Sequence, residues 1–168
     1  PMVDYVLDHF PGKQVGLIGT KRTVQSGVYS RKITEGNKNI TLHSLATPLL
    51  APMIEEGFFN NQISHEIIAQ YLSDTSLKNI EALILACTHY PLIKKEIDSY
   101  YQGKMIILDS SEIVAVALKK YLEKEGLLNE DEPIEQHFLV SDYTESFEAS
   151  ARMFFHQAVH LEKHPLWN

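Results

Sequence analysis

One apolar run that ends abruptly in polar residues constrains the fold of this chain more than any other stretch. Residues 82–86 read Ala-Leu-Ile-Leu-Ala, and Cys87, Thr88 and His89 follow directly. An unbroken apolar run of this length predicts a parallel strand that is buried on both faces. Ligands of parallel α/β sheets bind just beyond the carboxyl ends of the strands, so we expect the single cysteine to lie where such folds do chemistry.

The residues after the cysteine favour a helix start. Pro91 suits the first turn of a helix, and we expect that helix to begin at Thr88 or His89. Its free backbone N–H groups and partial positive charge would then point at Cys87. Such a position favours both a thiolate and a bound carboxylate.

Apolar and amphipathic segments alternate along the rest of the chain. We predict further strands over 14–19, 40–45, 104–108 and 136–140. We predict helices over 1–10, 20–32, 47–56, 61–72, 92–101, 111–125 and 144–159. The helix over 61–72 carries an expected buried stripe of Ile63, Ile67, Ile68, Tyr71 and Leu72. This alternation predicts an α/β domain built on a parallel sheet.

Composition excludes several classes of protein. The formal charge of −7 argues against a nucleic-acid-binding surface, which needs a basic patch. No apolar run reaches the roughly 18 residues of a membrane span, and we see no secretory signal. One cysteine allows no internal disulfide, which favours a cytoplasmic location. Because Pro1 precedes Met2, we expect the chain to be a piece of a longer protein.

Cys87 has two interpretations. Free cysteines commonly act as small buried hydrophobic residues. The position of Cys87 at a strand end, two residues before His89, favours a functional thiol whose protonation the imidazole adjusts. Iodoacetamide separates the two, since a reactive thiol is alkylated well below pH ~8.5 and a buried inert one is not.

Three further groups of polar residues are candidates. Thr20 and Thr23 start the predicted second helix, either as ordinary N-cap chemistry or as hydroxyls that hold a ligand carboxylate. Glu55 and Glu56 end a predicted helix and are either solvated or able to orient His89. The third group is His156, His160 and His164, which are spaced like metal ligands. No acidic or cysteine residue completes the set, so we favour a solvated helix face over a metal site.

Residues 85–92, Leu-Ala-Cys-Thr-His-Tyr-Pro-Leu, closely resemble the second cysteine motif of the glutamate racemase family, within the aspartate/glutamate racemase superfamily. Segments 15–29 and 46–57 match that family in the same order, so the resemblance covers essentially the whole chain. It implies a parallel-sheet three-layer α/β domain. Enzymes of the family have two such domains that face each other across the active site.

The resemblance also implies that part of the enzyme is missing from this chain. The first catalytic cysteine of the family lies in a Cys-Asn-Thr segment, which this sequence lacks. We therefore expect residues 1–110 to be the C-terminal α/β domain. We expect residues 111–168 to be a return segment of helix, strand and helix that completes the N-terminal domain of the intact enzyme.

The implied activity is interconversion of L- and D-glutamate without a cofactor, for peptidoglycan synthesis. The resemblance makes Cys87 one of two cysteine bases, with His89 and Glu55 adjusting its protonation. It implies a substrate-binding set of Thr88, His89, Thr20 and Thr23. No metal is implied.

The same resemblance implies the partners, and two alternative functions remain beside it. We expect glutamate and the missing N-terminal domain as partners, a homodimer, and no nucleic acid or membrane. The chain alone, with one of two bases, should be inactive. A related racemase, isomerase or decarboxylase with a single cysteine is one alternative. A non-catalytic binding module in which Cys87 only packs is another.

Overall fold

A four-stranded parallel sheet organises the molecule. The computed structural model describes residues 1–36, 39–129, 136–155 and 157–165. The four strands are β1 (Gln14–Gly19), β2 (Thr41–Ala46), β3 (Ala82–Ala86) and β4 (Ile106–Asp109). Their order is β2-β1-β3-β4, and every neighbouring pair is parallel. The predicted α/β fold with a parallel sheet is confirmed.

Helices follow the strands, and a small second sheet lies near the end of the chain. The helices are α1 (Met2–His9), α2 (Lys21–Gln25), α3 (Val28–Gly36), α4 (Leu50–Glu55), α5 (Gln62–Leu72), α6 (Lys94–Tyr100), α7 (Ser110–Lys124) and α8 (Glu145–Phe155). Two short 3-10 turns cover Thr75–Leu77 and Tyr90–Ile93. The second sheet pairs β5 (Phe138–Val140) with β6 (Leu161–Lys163) in parallel.

Strand β3 divides the apolar interior into two clusters. All five of its residues are buried. Leu83 and Leu85 join a cluster formed with α4, α5 and α6, whereas Ala82, Ile84 and Ala86 join a cluster formed with α1 and α3. Alternate side chains of a strand point to opposite faces, so this continuous apolar run is covered on both sides. The predicted burial of the strand on both faces is confirmed.

A glycine breaks the second predicted helix in two. We predicted one helix over 20–32, but the structure has α2 and α3 with Gly27 between them at φ +62°. Residues other than glycine rarely adopt this left-handed conformation. The Ser26 hydroxyl donates to the Thr23 carbonyl and accepts from the Val28 N–H, so the break is also capped.

Two further sequence predictions were wrong in detail. In α5, Ser64, Ile68 and Leu72 are buried and repeat every four residues, and the predicted Ile67 and Tyr71 are partly buried against the same cluster. Ile63 stands about 100° around the helix from Ser64 and is 54% exposed. The last predicted helix, 144–159, ends at Phe155, and strand β6 was not predicted at all.

Helix α7 differs from the other long helix of the four-stranded domain because it buries none of its residues. Val114, Leu118 and Tyr121 repeat at helical spacing and are all exposed. Asp109 caps the helix by accepting from the Ser111 N–H, as its sequence predicted. Among the described residues, no helix has both the length and the apolar character that crossing a membrane requires.

Candidate functional site

The ends of strands β1 and β3 bring two candidate segments together. Gly19 is paired with Ala86, so Thr20 and Cys87 leave the sheet side by side. Adjacent strands lie about 4.8 Å apart, which makes the two backbones immediate neighbours at this edge. The carboxyl edge of the sheet therefore carries both the thiol and the threonine hydroxyls, as the sequence predicted.

Cys87, His89 and Glu55 form a chain of contacts at this edge. His89 Nδ1 lies 3.6 Å from Cys87 Sγ, and His89 Nε2 lies 3.0 Å from Glu55 Oε1. The thiol is half-buried, whereas the Glu55 side chain is 57% exposed. Glu55 is the last residue of α4, and His89 directly precedes the 3-10 turn. Of the two neighbouring glutamates, Glu55 is the one in contact with His89.

Burial has the largest effect on the pKa of the Cys87 thiol. It raises the pKa of Cys87, and the negative charge of Glu55 raises that pKa further. The backbone N–H groups of His89 and Tyr90 act on the sulfur in the opposite direction and lower its pKa, but their effect is smaller. Burial therefore opposes the thiolate-favouring environment that the sequence predicted. Cys87 rests as a thiol.

The local helix geometry explains this result. We predicted a helix beginning at Thr88 or His89, but the 3-10 turn begins at Tyr90 and α6 only at Lys94. A turn of four residues aligns few peptide dipoles, so its positive end is weak. Two backbone N–H groups reach the sulfur, and they do not offset its removal from water.

Thr20 and Thr23 lie at the start of α2, as predicted. Thr20 caps α2: its Oγ1 accepts from the Thr23 N–H at 3.2 Å, and the two hydroxyl oxygens are 3.0 Å apart. Both residues are half-buried. Thr88 is exposed, and its Oγ1 lies 3.5 Å from His89 Nδ1. The structural role of Thr20 as an N-cap is thus real, and because the contact between the two hydroxyls uses one of their two protons, the other proton can be donated to a ligand oxygen.

Two residues of this region were missed by sequence reasoning. Tyr90 is fully buried and Thr47 is buried beside it, with their hydroxyl oxygens 2.7 Å apart. Burial raises the pKa of Tyr90 to about 12. A buried tyrosine needs a partner for its hydroxyl, so a tyrosine directly after the cysteine motif was a signal for such a partner.

The last elements of the chain cover one side of the site. A cavity of about 750 Å³ is bounded by Glu55 and His89 on one side and by β5, α8 and β6 on the other. Its apolar wall includes Phe138, Phe147, Phe154 and Phe155. The Phe154 ring meets the His89 ring edge-on, with centroids 5.5 Å apart. Sequence reasoning missed this contact because the residues are 65 positions apart in the chain.

Two of the three histidines near the chain end lie among the described residues, and they are not on a helix. His156 lies outside the described residues. His160 and His164 are exposed, and neither is in a helix. Within residues 1–36, 39–129, 136–155 and 157–165, no three potential ligands are grouped to hold a metal ion.

The contacts around His89 allow proton transfer to and from the thiol. A carboxylate at Nε2 accepts a hydrogen bond from the N–H of that nitrogen, which fixes the tautomer with the lone pair on Nδ1. Nδ1 then faces the thiol and can accept its proton, producing a thiolate beside an imidazolium that Glu55 stabilises. A thiol held in this way can act as an acid or as a base.

Comparisons with known proteins extend over almost the whole chain. No family model matches it. The glutamate racemase of Chlorobaculum parvum is 38% identical over 142 residues, which are 84% of this chain and 52% of that protein. The crystal structure of glutamate racemase from Francisella tularensis in complex with D-glutamate has 35% identity and a TM-score of 0.85. The match covers 97% of this chain and 60% of that one.

A third comparison agrees. The crystal structure of glutamate racemase isoform RacE1 from Bacillus anthracis has 27% identity and a TM-score of 0.88, over 99% of this chain and 62% of that one. The chain thus spans about half the length of the curated relative and about three fifths of the solved chains. The resemblance seen in the sequence and the predicted fold class are both confirmed.

Proposed function

We propose that this chain, a homologue of the glutamate racemases over part of their length, supplies one acid/base thiol and part of the glutamate site of a cofactor-independent racemase. The observation that carries the proposal is the half-buried Cys87 thiol at the tip of β3, with His89 Nδ1 3.6 Å from its sulfur. That racemase interconverts L- and D-glutamate.

Racemisation by this route needs two acid/base groups. The α-proton leaves one face of the substrate carbon and another proton arrives at the opposite face. This chain contains a single cysteine, so Cys87 serves one face and the second base comes from the rest of the enzyme. His89 takes the proton from the Cys87 thiol as the thiolate forms, and Glu55 stabilises the resulting imidazolium.

The threonine hydroxyls and nearby backbone N–H groups hold the substrate. Removing an α-proton places negative charge on the substrate carboxylate, so donors that are already oriented towards it lower the barrier. Thr20 and Thr23 follow β1 at the edge where Cys87 follows β3. Thr88 and His89 complete this set on the side of the thiol.

The domain division remains part of the proposal. Residues 1–110 form the C-terminal domain, and residues 111–168 return to complete the N-terminal domain. The unburied face of α7 and the small β5–β6 sheet support this division, because both have apolar residues with little cover. The enzyme acts in the cytoplasm and makes D-glutamate for peptidoglycan.

Complementation tests the proposal. The chain is assayed for racemisation of L- and D-glutamate by chiral chromatography, alone and co-expressed with the N-terminal part of the Francisella tularensis racemase. We expect no racemisation by the chain alone and activity in the complemented pair. Cys87→Ala should abolish that activity. Racemisation at ordinary rates by the chain alone would contradict the requirement for a second base.

A further inference from the structure

A buried pair of hydroxyls joins the two loops of the proposed site. The Tyr90 hydroxyl oxygen lies 2.7 Å from Thr47 Oγ1 and 3.2 Å from the Thr47 carbonyl oxygen. Thr47 in turn is bonded to the end of β1: its N–H donates to the Gly19 carbonyl at 2.8 Å, and its Oγ1 lies 3.3 Å from the same carbonyl oxygen. Both side chains are completely buried.

The two hydroxyl protons of Tyr90 and Thr47 can be placed in two ways. In one, Tyr90 donates to the Thr47 carbonyl and Thr47 Oγ1 donates to the Tyr90 oxygen. In the other, Tyr90 donates to Thr47 Oγ1, which donates to the Gly19 carbonyl. Each hydroxyl has one proton, and in both arrangements each proton has an acceptor. Buried polar groups satisfied in this way hold their surroundings in one geometry.

The two ends of this connection are next to the chemically active residues. Tyr90 comes directly after the segment of Cys87, Thr88 and His89, and its backbone N–H donates to the Cys87 carbonyl at 3.2 Å. Gly19 comes directly before Thr20. A displacement of Tyr90 therefore moves the thiol, and a displacement of Gly19 moves the Thr20 hydroxyl.

We propose that Tyr90 and Thr47 are positioning residues that fix the Cys87 sulfur relative to the Thr20 and Thr23 hydroxyls, so that a carboxylate held by these hydroxyls places its adjacent carbon at the sulfur. The inference deepens the proposed function and rests on it. Neither residue touches the substrate in this account. Their effect is on alignment, and it is greatest for ligands that carry a carboxylate.

Two alkylating reagents separate alignment from thiol reactivity. Iodoacetate and iodoacetamide both react when the thiolate sulfur attacks their CH2 carbon, so that a sulfur–carbon bond forms and iodide leaves. Both rates depend equally on the thiolate fraction of Cys87, and the ratio of the two rate constants cancels it. Only iodoacetate has a carboxylate next to the reacting carbon, as glutamate does. The ratio therefore reports the alignment of the carboxylate site with the thiol.

The variants are Tyr90→Phe and Thr47→Val, each of which removes one hydroxyl and keeps the shape of the side chain. We expect each to lower the iodoacetate-to-iodoacetamide ratio of residues 1–168 about three- to tenfold, because a misplacement of ~1 Å costs up to about 100-fold in well-aligned reactions. Thr47→Ser keeps the hydroxyl and should keep the ratio. Tyr71→Phe is the matched control, since its hydroxyl accepts from the exposed Leu49 N–H and has no hydrogen bond to Thr47 or Gly19 among the described residues.

The measured ratios distinguish the positioning role of Tyr90 and Thr47 from the proposed function. Circular dichroism shows which variants are folded. One folded variant, Tyr90→Phe or Thr47→Val, is sufficient for the test. A ratio that falls in Thr20→Val but not in Tyr90→Phe or Thr47→Val overturns the positioning role and leaves the proposed function standing. If the ratio does not change even in Thr20→Val, the threonine hydroxyls do not hold a carboxylate, and both proposals fail. A merely structural effect would change both rate constants equally and leave the ratio unchanged, which also contradicts the positioning role.

Discussion

His89 Nε2 lies 3.0 Å from Glu55 Oε1, while the other ring nitrogen faces the Cys87 sulfur at 3.6 Å. This relationship gives Glu55 two opposing effects on the site. Its carboxylate fixes the imidazole tautomer, and its negative charge raises the pKa of the thiol. The half-buried thiol therefore stays protonated until His89 accepts its proton, which is a suitable resting state for a group that must both take and return protons.

Replacing Glu55 should make the thiol more acidic. Only the thiolate reacts with iodoacetamide, and a negative neighbour disfavours the thiolate. In Glu55→Gln that neighbour is neutral, so the pKa of Cys87 falls and alkylation of residues 1–168 begins at lower pH. In the unmodified chain, where burial and Glu55 both raise the pKa of Cys87, alkylation rises only above the ordinary thiol range. The measurement is the alkylation rate between pH 6 and pH 11, followed by mass spectrometry.

Glu56→Gln is the control for that experiment. It removes the same charge one residue further on, and Glu56 is not among the groups that shift the pKa of Cys87. Its rate profile should stay close to that of the unmodified chain. An unchanged profile in Glu55→Gln would show that the charge of Glu55 does not act on the thiol.

Two isoleucines of helix α5 should differ sharply in their contribution to stability. Ile68 is 2% exposed and packs under the sheet, whereas Ile63 is 54% exposed. Ile68→Ala removes buried methylene groups and leaves a cavity, so the free energy of unfolding should fall by about 2–5 kcal/mol. Ile63→Ala should change it by about 0.5 kcal/mol or less. Urea denaturation measures both, and equal losses would refute the assignment of the buried face.

A buried carboxylate makes Ser64 important for stability. Glu96 Oε1 accepts from the Ser64 hydroxyl at 2.8 Å and from the Asn60 N–H at 2.6 Å. Its other oxygen is buried without a hydrogen-bond partner in the described part of the chain. Ser64→Ala removes a donor from this carboxylate and should cost about 1–3 kcal/mol of unfolding free energy.

Ser99→Ala is the matched control for Ser64→Ala. Its hydroxyl donates to the Lys95 carbonyl on the exposed side of α6. Because water replaces that bond, the change should be within about 0.5 kcal/mol. A loss of the same size in both variants would mean that the Glu96 contact adds nothing.

The sheet was predictable from sequence because its strands are short apolar runs with clear ends. Residues 82–86 have no polar member, and β3 covers the same five positions. The helix break at Gly27 was not predicted, because a glycine inside a helical pattern is often tolerated. Strand β6 was missed because Leu161, Glu162 and Lys163 have no apolar run, and only pairing with β5 makes them a strand.

The site was predicted in part. Position along the chain placed Cys87 and Thr20 at one edge, since the ends of parallel strands meet there. Sequence spacing gave no measure of burial, so it predicted an acidified thiol where the structure has a thiol with a raised pKa. The contact of Phe154 with His89 depends on how the last elements fold back, which local patterns do not encode.

The exposed face of α7 should cause the chain to associate. Val114, Leu118 and Tyr121 are 44%, 53% and 56% exposed and share one side of the helix. Apolar patches of this kind mark interaction sites, and we expect a homodimer in sedimentation velocity at micromolar concentration. Leu118→Glu should shift the equilibrium to the monomer, whereas Lys119→Gln, at an exposed polar position, should not. A monomer at every concentration would contradict the expectation.

Exchange of the glutamate α-proton in D2O is the most direct test of the central claim that Cys87 serves one face of the substrate. The chain is complemented with the N-terminal part of the Francisella tularensis racemase, and exchange of each enantiomer is followed by proton NMR. Cys87→Ala should abolish exchange from one enantiomer and spare exchange from the other. Unchanged exchange from both enantiomers would show that this sulfur is not a catalytic base.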